Sequence, residues 1–181
     1  MNSSTNDFSQ NIMVLLRPAL PGLLLTVITI LFGFGVGIVF GLNEDLIKSR
    51  LNASALVVFD AEYHGDAKEM KVVLDKSWTY MKRAHLHAGA IGSVALGLIL
   101  LVSLLGTKPI LTTGISLGLG LGGLGYSVFW LWAGFLAPGL GSTGAAKEAL
   151  RWLAMPSSGA VVASTAAVAI ILAIAILKKN K

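Results

Sequence analysis

The chain has 181 residues, 55% of them hydrophobic and 13% charged, with a mean hydropathy of +0.77, a balance too apolar for a soluble domain, in which about a quarter of residues are charged. The absence of cysteine excludes disulfides, thiolate zinc sites, iron–sulfur clusters and c-type haem attachment. The net charge of +5 comes from residues flanking apolar stretches, not from a basic patch with interleaved aromatics, so the expected partner is the lipid bilayer with its anionic headgroups and no nucleic acid.

The fold these features predict is an all-α integral membrane protein with four transmembrane helices. Spanning the hydrocarbon takes about 20 mostly apolar residues, and the stretches Ala19 to Gly41, Ala88 to Gly106, Ile110 to Leu136 and Ser157 to Leu177 meet this with no Asp, Glu, Lys or Arg inside them. In chain order the reading is a polar N-terminal segment over 1–18, a first span, extramembrane hairpin and second span over 19–106, and a third span, short interfacial helix and fourth span over 107–181, all within one membrane domain. The lead-in is read as loose, and Pro18 and Pro21 as a helix start. The first span is longer than the apolar core of a signal peptide and carries Gly33, Gly35, Gly37 and Gly41, so it is expected to stay as an anchor.

Between the first two spans, Leu46, Ile47, Leu51, Ala55, Val58 and Phe59 recur at helical spacing with no proline. The first helix is thus expected to continue out of the membrane. His64-Gly65-Asp66 supplies a break, with Asp66 and Glu69 as a capping pair for the next helix. From Met70 the apolar stripe runs through Leu74, Trp78, Met81 and His85 into the second span. The two arms predict an antiparallel helical hairpin over about 43–86, rising about 30 Å at 1.5 Å per residue. Thr107-Lys108-Pro109 is a tight turn into the third span, whose aromatics Tyr126, Phe129, Trp130 and Trp132 form an interfacial belt. Ala145 to Leu153 reads as a short surface helix, and Pro156-Ser157 as the start of the last span. The count of Lys and Arg in the first loop and the Lys178-Lys179-Asn180-Lys181 tail point to opposite sides as cytoplasmic; no orientation follows.

Glycine is concentrated in the spans, at Gly33, Gly37 and Gly41 and from Gly114 through Gly118, Gly120, Gly122, Gly123 and Gly125. Such spacings let helix backbones approach closely, inside this bundle, with copies of the chain or with other membrane subunits. The alternating glycines resemble the inner helix of the proteolipid subunit of rotary ATPases, but that family needs an intramembrane carboxylate, which these spans lack. The run Gly118 to Gly123 has neither the preceding strand nor the lysine of a phosphate loop.

The candidate chemistry centres on His85 and His87. On a helix, residues two apart lie about 200° from one another and cannot chelate one ion together. His85 falls on the apolar stripe above Gly89 and Gly92, which leave space for a helix or a flat macrocycle. His87 falls beside Lys76, Tyr80 and Arg83, facing water, headgroups or a partner. His85 is the candidate axial ligand for haem b, with His87, Arg83 and Lys82 as candidate propionate contacts. A histidine opening a span after a basic residue and before small residues is similar to the haem-ligand helix of haem–copper oxidase catalytic subunits, a family whose further histidines have no counterpart in the other spans. Asp60 and His64, four apart, form a weak candidate metal site.

The expected function is therefore a non-catalytic integral membrane subunit or accessory protein of a larger membrane complex, of the respiratory or redox kind. One alternative is a b-type haem or metal-binding electron-transfer protein using His85. Another is a small oligomeric channel or transporter whose polar lining comes from Ser103, Thr112, Thr113, Ser116, Ser127, Ser164 and Thr165.

Overall fold

A computed structural model describes residues 3–179, and side-chain exposure over 10–178; residues 180 and 181, part of the basic tail, lie outside the described residues, as do residues 1 and 2. Every element among the described residues is helical: α1 (Ser3–Leu16), α2 (Leu20–Val57), α3 (Phe59–Tyr63), α4 (Ala67–Leu104), α5 (Pro109–Leu136), α6 (Thr143–Ala149) and α7 (Arg151–Lys179). Four helical stretches are long and apolar enough to cross a membrane: Gln10–Val57, Ala67–Leu104, Pro109–Leu136 and Arg151–Lys178.

The element ends follow from local chemistry. A 3-10 turn over Arg17–Ala19 joins α1 to α2, with prolines at helix-starting positions on both sides, where a missing N–H goes unneeded. The lead-in is thus helical from Ser3, not loose. The helix α2 runs for 38 residues, interrupted only at Asn43, which leaves helical geometry at φ −132°, ψ 27°. Its side-chain amide donates to the Val39 carbonyl at 3.3 Å, the local competition with the backbone that asparagine offers. His64 and Gly65 both take positive φ, 51° and 73°, ending α3, and the Asp66 carboxylate then accepts from the N–H groups of Lys68 (2.7 Å) and Glu69 (3.2 Å) to open α4. Ser142 caps α6 in the same way, accepting from Gly144 and Ala145.

The last helix begins earlier than the proline signal suggests. The chain breaks at Leu150, and α7 starts at Arg151 with Pro156 inside it. Pro156, past the first turn, lacks the N–H that would bond the Trp152 carbonyl, and the Ser158 hydroxyl donates to the Ala154 carbonyl at 2.8 Å.

The helix α5 sits at the centre, packed on α2, α4 and α7, while α7 leans almost entirely on α5. Its glycines make this possible. A Cβ on Gly22 of α2 would collide with the Ser116 backbone, and one on Gly120 would stand 2.8 Å from the Gly22 carbonyl. On the opposite face, a Cβ on Gly122 would stand 2.7 Å from the Ser157 carbonyl of α7. One core cluster joins Ala95, Ile99 and Val102 of α4 to Ile115 and Leu119 of α5 and Val168 of α7.

A second cluster lies at the far end and was not legible in the sequence. Ala55, Tyr63 and Val73, from both arms beyond the apolar spans, bury themselves against Ala137 after α5 and Ala146 of α6. The Tyr63 hydroxyl donates to the Pro138 carbonyl at 2.7 Å, across 75 positions of sequence. The chain around α3 is thus held to the α5–α6 connection. Burial, then the neighbouring Glu62 and Glu69, raises the Tyr63 pKa above its ordinary value, which favours the neutral hydroxyl that donates. That contribution is complete below the phenol's unfolded pKa and is lost as pH rises through the raised one. Tyr63→Phe is expected to weaken the connection by about 1–2 kcal/mol, read as faster amide exchange in α3 and α6 with the apolar helices unaffected; equal exchange in both proteins would show the bond contributes nothing.

Candidate functional site

His85 lies on α4 where that helix crosses α2. Its Nδ1 is 2.7 Å from the Gly33 carbonyl. A carbonyl only accepts, so Nδ1 carries a hydrogen and donates; Nε2 makes no hydrogen bond among the described residues. The ring fits a notch made by glycine: a Cβ on Gly37 would stand 2.6 Å from Cε1 and 2.8 Å from Nδ1. The histidine therefore faces protein, as its place on the stripe predicts, and half-buried as it is, its proton has a fixed acceptor.

The space expected below it is divided differently. Gly92 is buried and already filled, since a Cβ there would lie 2.6 Å from Cγ1 of Ile30. Gly89 keeps open space, with nothing within 4 Å of a Cβ. The two glycines face different neighbours because α2 covers one side of α4 and leaves the next uncovered.

His87 does not face water or headgroups alone. Its ring lies 5.4 Å from that of Tyr126 and 6.2 Å from that of Trp130, because α5 packs on this side of α4. Arg83 stands over Trp130 too, 4.9 Å from its centroid, and 5.6 Å from that of Tyr80, a cation–π arrangement that holds its charge near the end of the apolar span. Tyr80 and Trp130 meet edge to face at 4.8 Å. Lys82 points elsewhere, into a groove between α2 and α4 lined also by Lys48, Lys71 and Trp78. The basic residues grouped in sequence as contacts for one ligand are thus split between two faces of α4.

The second candidate pair also separates. Asp60 lies within α3, whereas His64 is its left-handed cap, so the two do not share one helical face. Among the described residues, no group of three or more His, Asp or Glu stands close enough to hold an ion.

The hydroxyls of the spans are mostly returned to backbone carbonyls. Ser103 donates to Ile99, Ser127 to Gly123 and Thr29 to Leu25, at 2.8–2.9 Å, and Thr113 crosses to the Pro18 carbonyl at 2.9 Å. The buried hydroxyl of Thr26 finds no partner among the described residues, nor does the indole N–H of Trp130. Nothing in the sequence distinguishes Thr26 from Thr29, three residues on.

Comparison with known protein families, curated proteins and solved structures finds no match.

Proposed function

We propose that the chain is a non-catalytic, multi-pass membrane protein that serves as a subunit or accessory protein of a larger membrane complex. In this reading α2, α4, α5 and α7 span the bilayer, and the far parts of α2 and α4 rise from it as an antiparallel helical hairpin. The succession of partners supports the hairpin: Ile30 against Gly92, Gly33 against Ala88, Gly37 against His85 and Phe40 against Trp78.

The observation that carries the reading is the division of the glycines into two sets. Those of α5 and the α2–α4 crossing are filled by neighbouring backbone, whereas Gly35, Gly97, Gly114 and Gly159 have nothing within 4 Å of a Cβ. The most apolar windows of α2 and α7 are only 17% and 11% buried, against 44% for α5, so Gly35 and Gly159 lie on helices with most of their surface turned outward. Lipid covers such a surface, but a glycine in a helix costs about 1 kcal/mol relative to alanine, and close approach by another helix offsets it. Purification from native membranes in mild detergent, followed by native mass spectrometry, is the test. Co-purification of partner chains in fixed proportion is expected; a stable monomer carrying no other protein would sink the proposal.

One observation favours a second reading. The Nδ1–H of His85 donated to a carbonyl, with no hydrogen bond made by Nε2 among the described residues, is the arrangement that orients histidines bound to metals. An electron-transfer protein with haem b on His85 would show a Soret band that shifts on reduction and is lost in His85→Ala. No Soret band in protein purified from haem-replete cells rejects it.

A further inference from the structure

We propose that the groove between α2 and α4 binds a phosphate group, held by Lys82 with Lys48 and Lys71. The groove encloses about 510 Å³, within the range of small-molecule sites. Its α4 wall is formed by Lys71, Asp75, Trp78 and Lys82, one stripe at helical spacing, and its α2 wall includes Lys48 and Asn52. The apolar Leu51 and Leu74 form its floor.

Lysine is a compact, strongly hydrated point charge suited to phosphate oxygens. Lys48 is paired with Glu44, and Lys71 with Asp75 at 2.7 Å, but every member of both pairs is at least 47% exposed. Exposed pairs of this kind are worth at most about 1 kcal/mol and yield readily to a ligand of higher charge. Lys82 has no ion pair among the described residues. The Lys48 ammonium also lies 5.3 Å from the centroid of Trp78, which keeps it over the groove.

The position of the groove decides which phosphate comes first. Lys82 stands six residues before Ala88, where the apolar span begins, a rise of about 9 Å at 1.5 Å per residue. The same face of α4 continues to Leu86, which is 62% exposed, and then to Gly89, where nothing lies within 4 Å of a Cβ. A phosphate in the groove therefore has an apolar path directly below it, as the phosphate of an acidic phospholipid requires. A free phosphate offers the same oxygens without the chain. The phosphate site needs no partner subunit; only the lipid as its source rests on the membrane reading.

The test uses the full chain in mild detergent. Native mass spectrometry compares retention of phosphatidylglycerol and phosphatidylcholine, and a thermal melt reads protection by inorganic phosphate. Selective retention of phosphatidylglycerol that falls about fivefold in Lys82→Gln, persists in Lys82→Arg and is unchanged in Lys108→Gln supports the site with a lipid source. Protection by inorganic phosphate that is lost in Lys82→Gln, without lipid selectivity, supports it with a soluble source. Equal retention of both lipids with no phosphate protection overturns it, as does a preference that survives the combined Lys48→Gln, Lys71→Gln and Lys82→Gln. Amine labelling of the unsubstituted chain reads the same contact without any variant: phosphatidylglycerol is expected to slow labelling of Lys82 relative to Lys108, and unchanged rates count against the site.

Discussion

Gly22→Ala is expected to lower the stability of the folded chain in detergent by about 1–3 kcal/mol, the range for forcing a methyl group into a filled site. The methyl would meet the Ser116 backbone, and backbone cannot rotate away as a flexible side chain can. The helices α2 and α5 would have to separate along a contact whose other side is Gly120. Between membrane helices close packing supplies the attraction that the hydrophobic effect supplies in water, so the separation is not compensated. Gly122→Ala should act alike on the α5–α7 contact. Gly35→Ala and Gly114→Ala should instead hold or raise stability by about 0.5–1 kcal/mol, because alanine favours the helix and the space is open. Thermal unfolding followed by tryptophan fluorescence separates the two sets; if Gly22→Ala melts no earlier than Gly35→Ala, α2 and α5 do not approach as described.

His85→Ala is expected to destabilise the α2–α4 crossing by about 1–3 kcal/mol, through the lost bond to the Gly33 carbonyl and the void left in the notch. A stronger statement concerns its coupling to Gly37. Alone, Gly37→Ala drives a methyl against the imidazole, 2.6 Å from Cε1, and should destabilise. In a chain already carrying His85→Ala the ring is gone and the same methyl fills part of the void, so the second substitution should cost little or restore stability. The two changes are in contact, and a coupling of about 1 kcal/mol or more is the expected size. Strict additivity in denaturant-induced unfolding would show that the ring does not occupy the glycine notch. Neither substitution should affect Tyr63 and the far cluster, which lie beyond the crossing.

Where the signal is local, the sequence and the structure agree. The Asp66 cap, the break at His64-Gly65 and the tight turn at Thr107-Lys108-Pro109 each depend on residues within a turn of one another, and each appears where its side chains require. The helical phase also placed His85 toward protein and apart from His87. Phase gives direction but no neighbour. The sequence could not show that α5 would bring Tyr126 and Trp130 against His87, or that Ile30 would fill the gap at Gly92 while Gly89 stayed open. The start of α7 differs from the proline signal for a related reason: proline is common as a first helical residue, but the chain leaves helical geometry at Leu150 and α7 resumes at Arg151.

By itself, then, the sequence determined the helical class, the four apolar stretches, the continuation of α2 beyond its apolar stretch and the isolation of His85 from its near neighbour. These rest on composition, periodicity and capping, all short-range. Only the tertiary structure decided which glycines are filled and which are open, that Lys82 turns away from Arg83 into a groove with Lys48 and Lys71, and that Tyr63 reaches the Pro138 carbonyl. Each of these depends on helices distant in the chain meeting at one crossing, where a single missing Cβ decides whether backbone, imidazole or open space lies opposite.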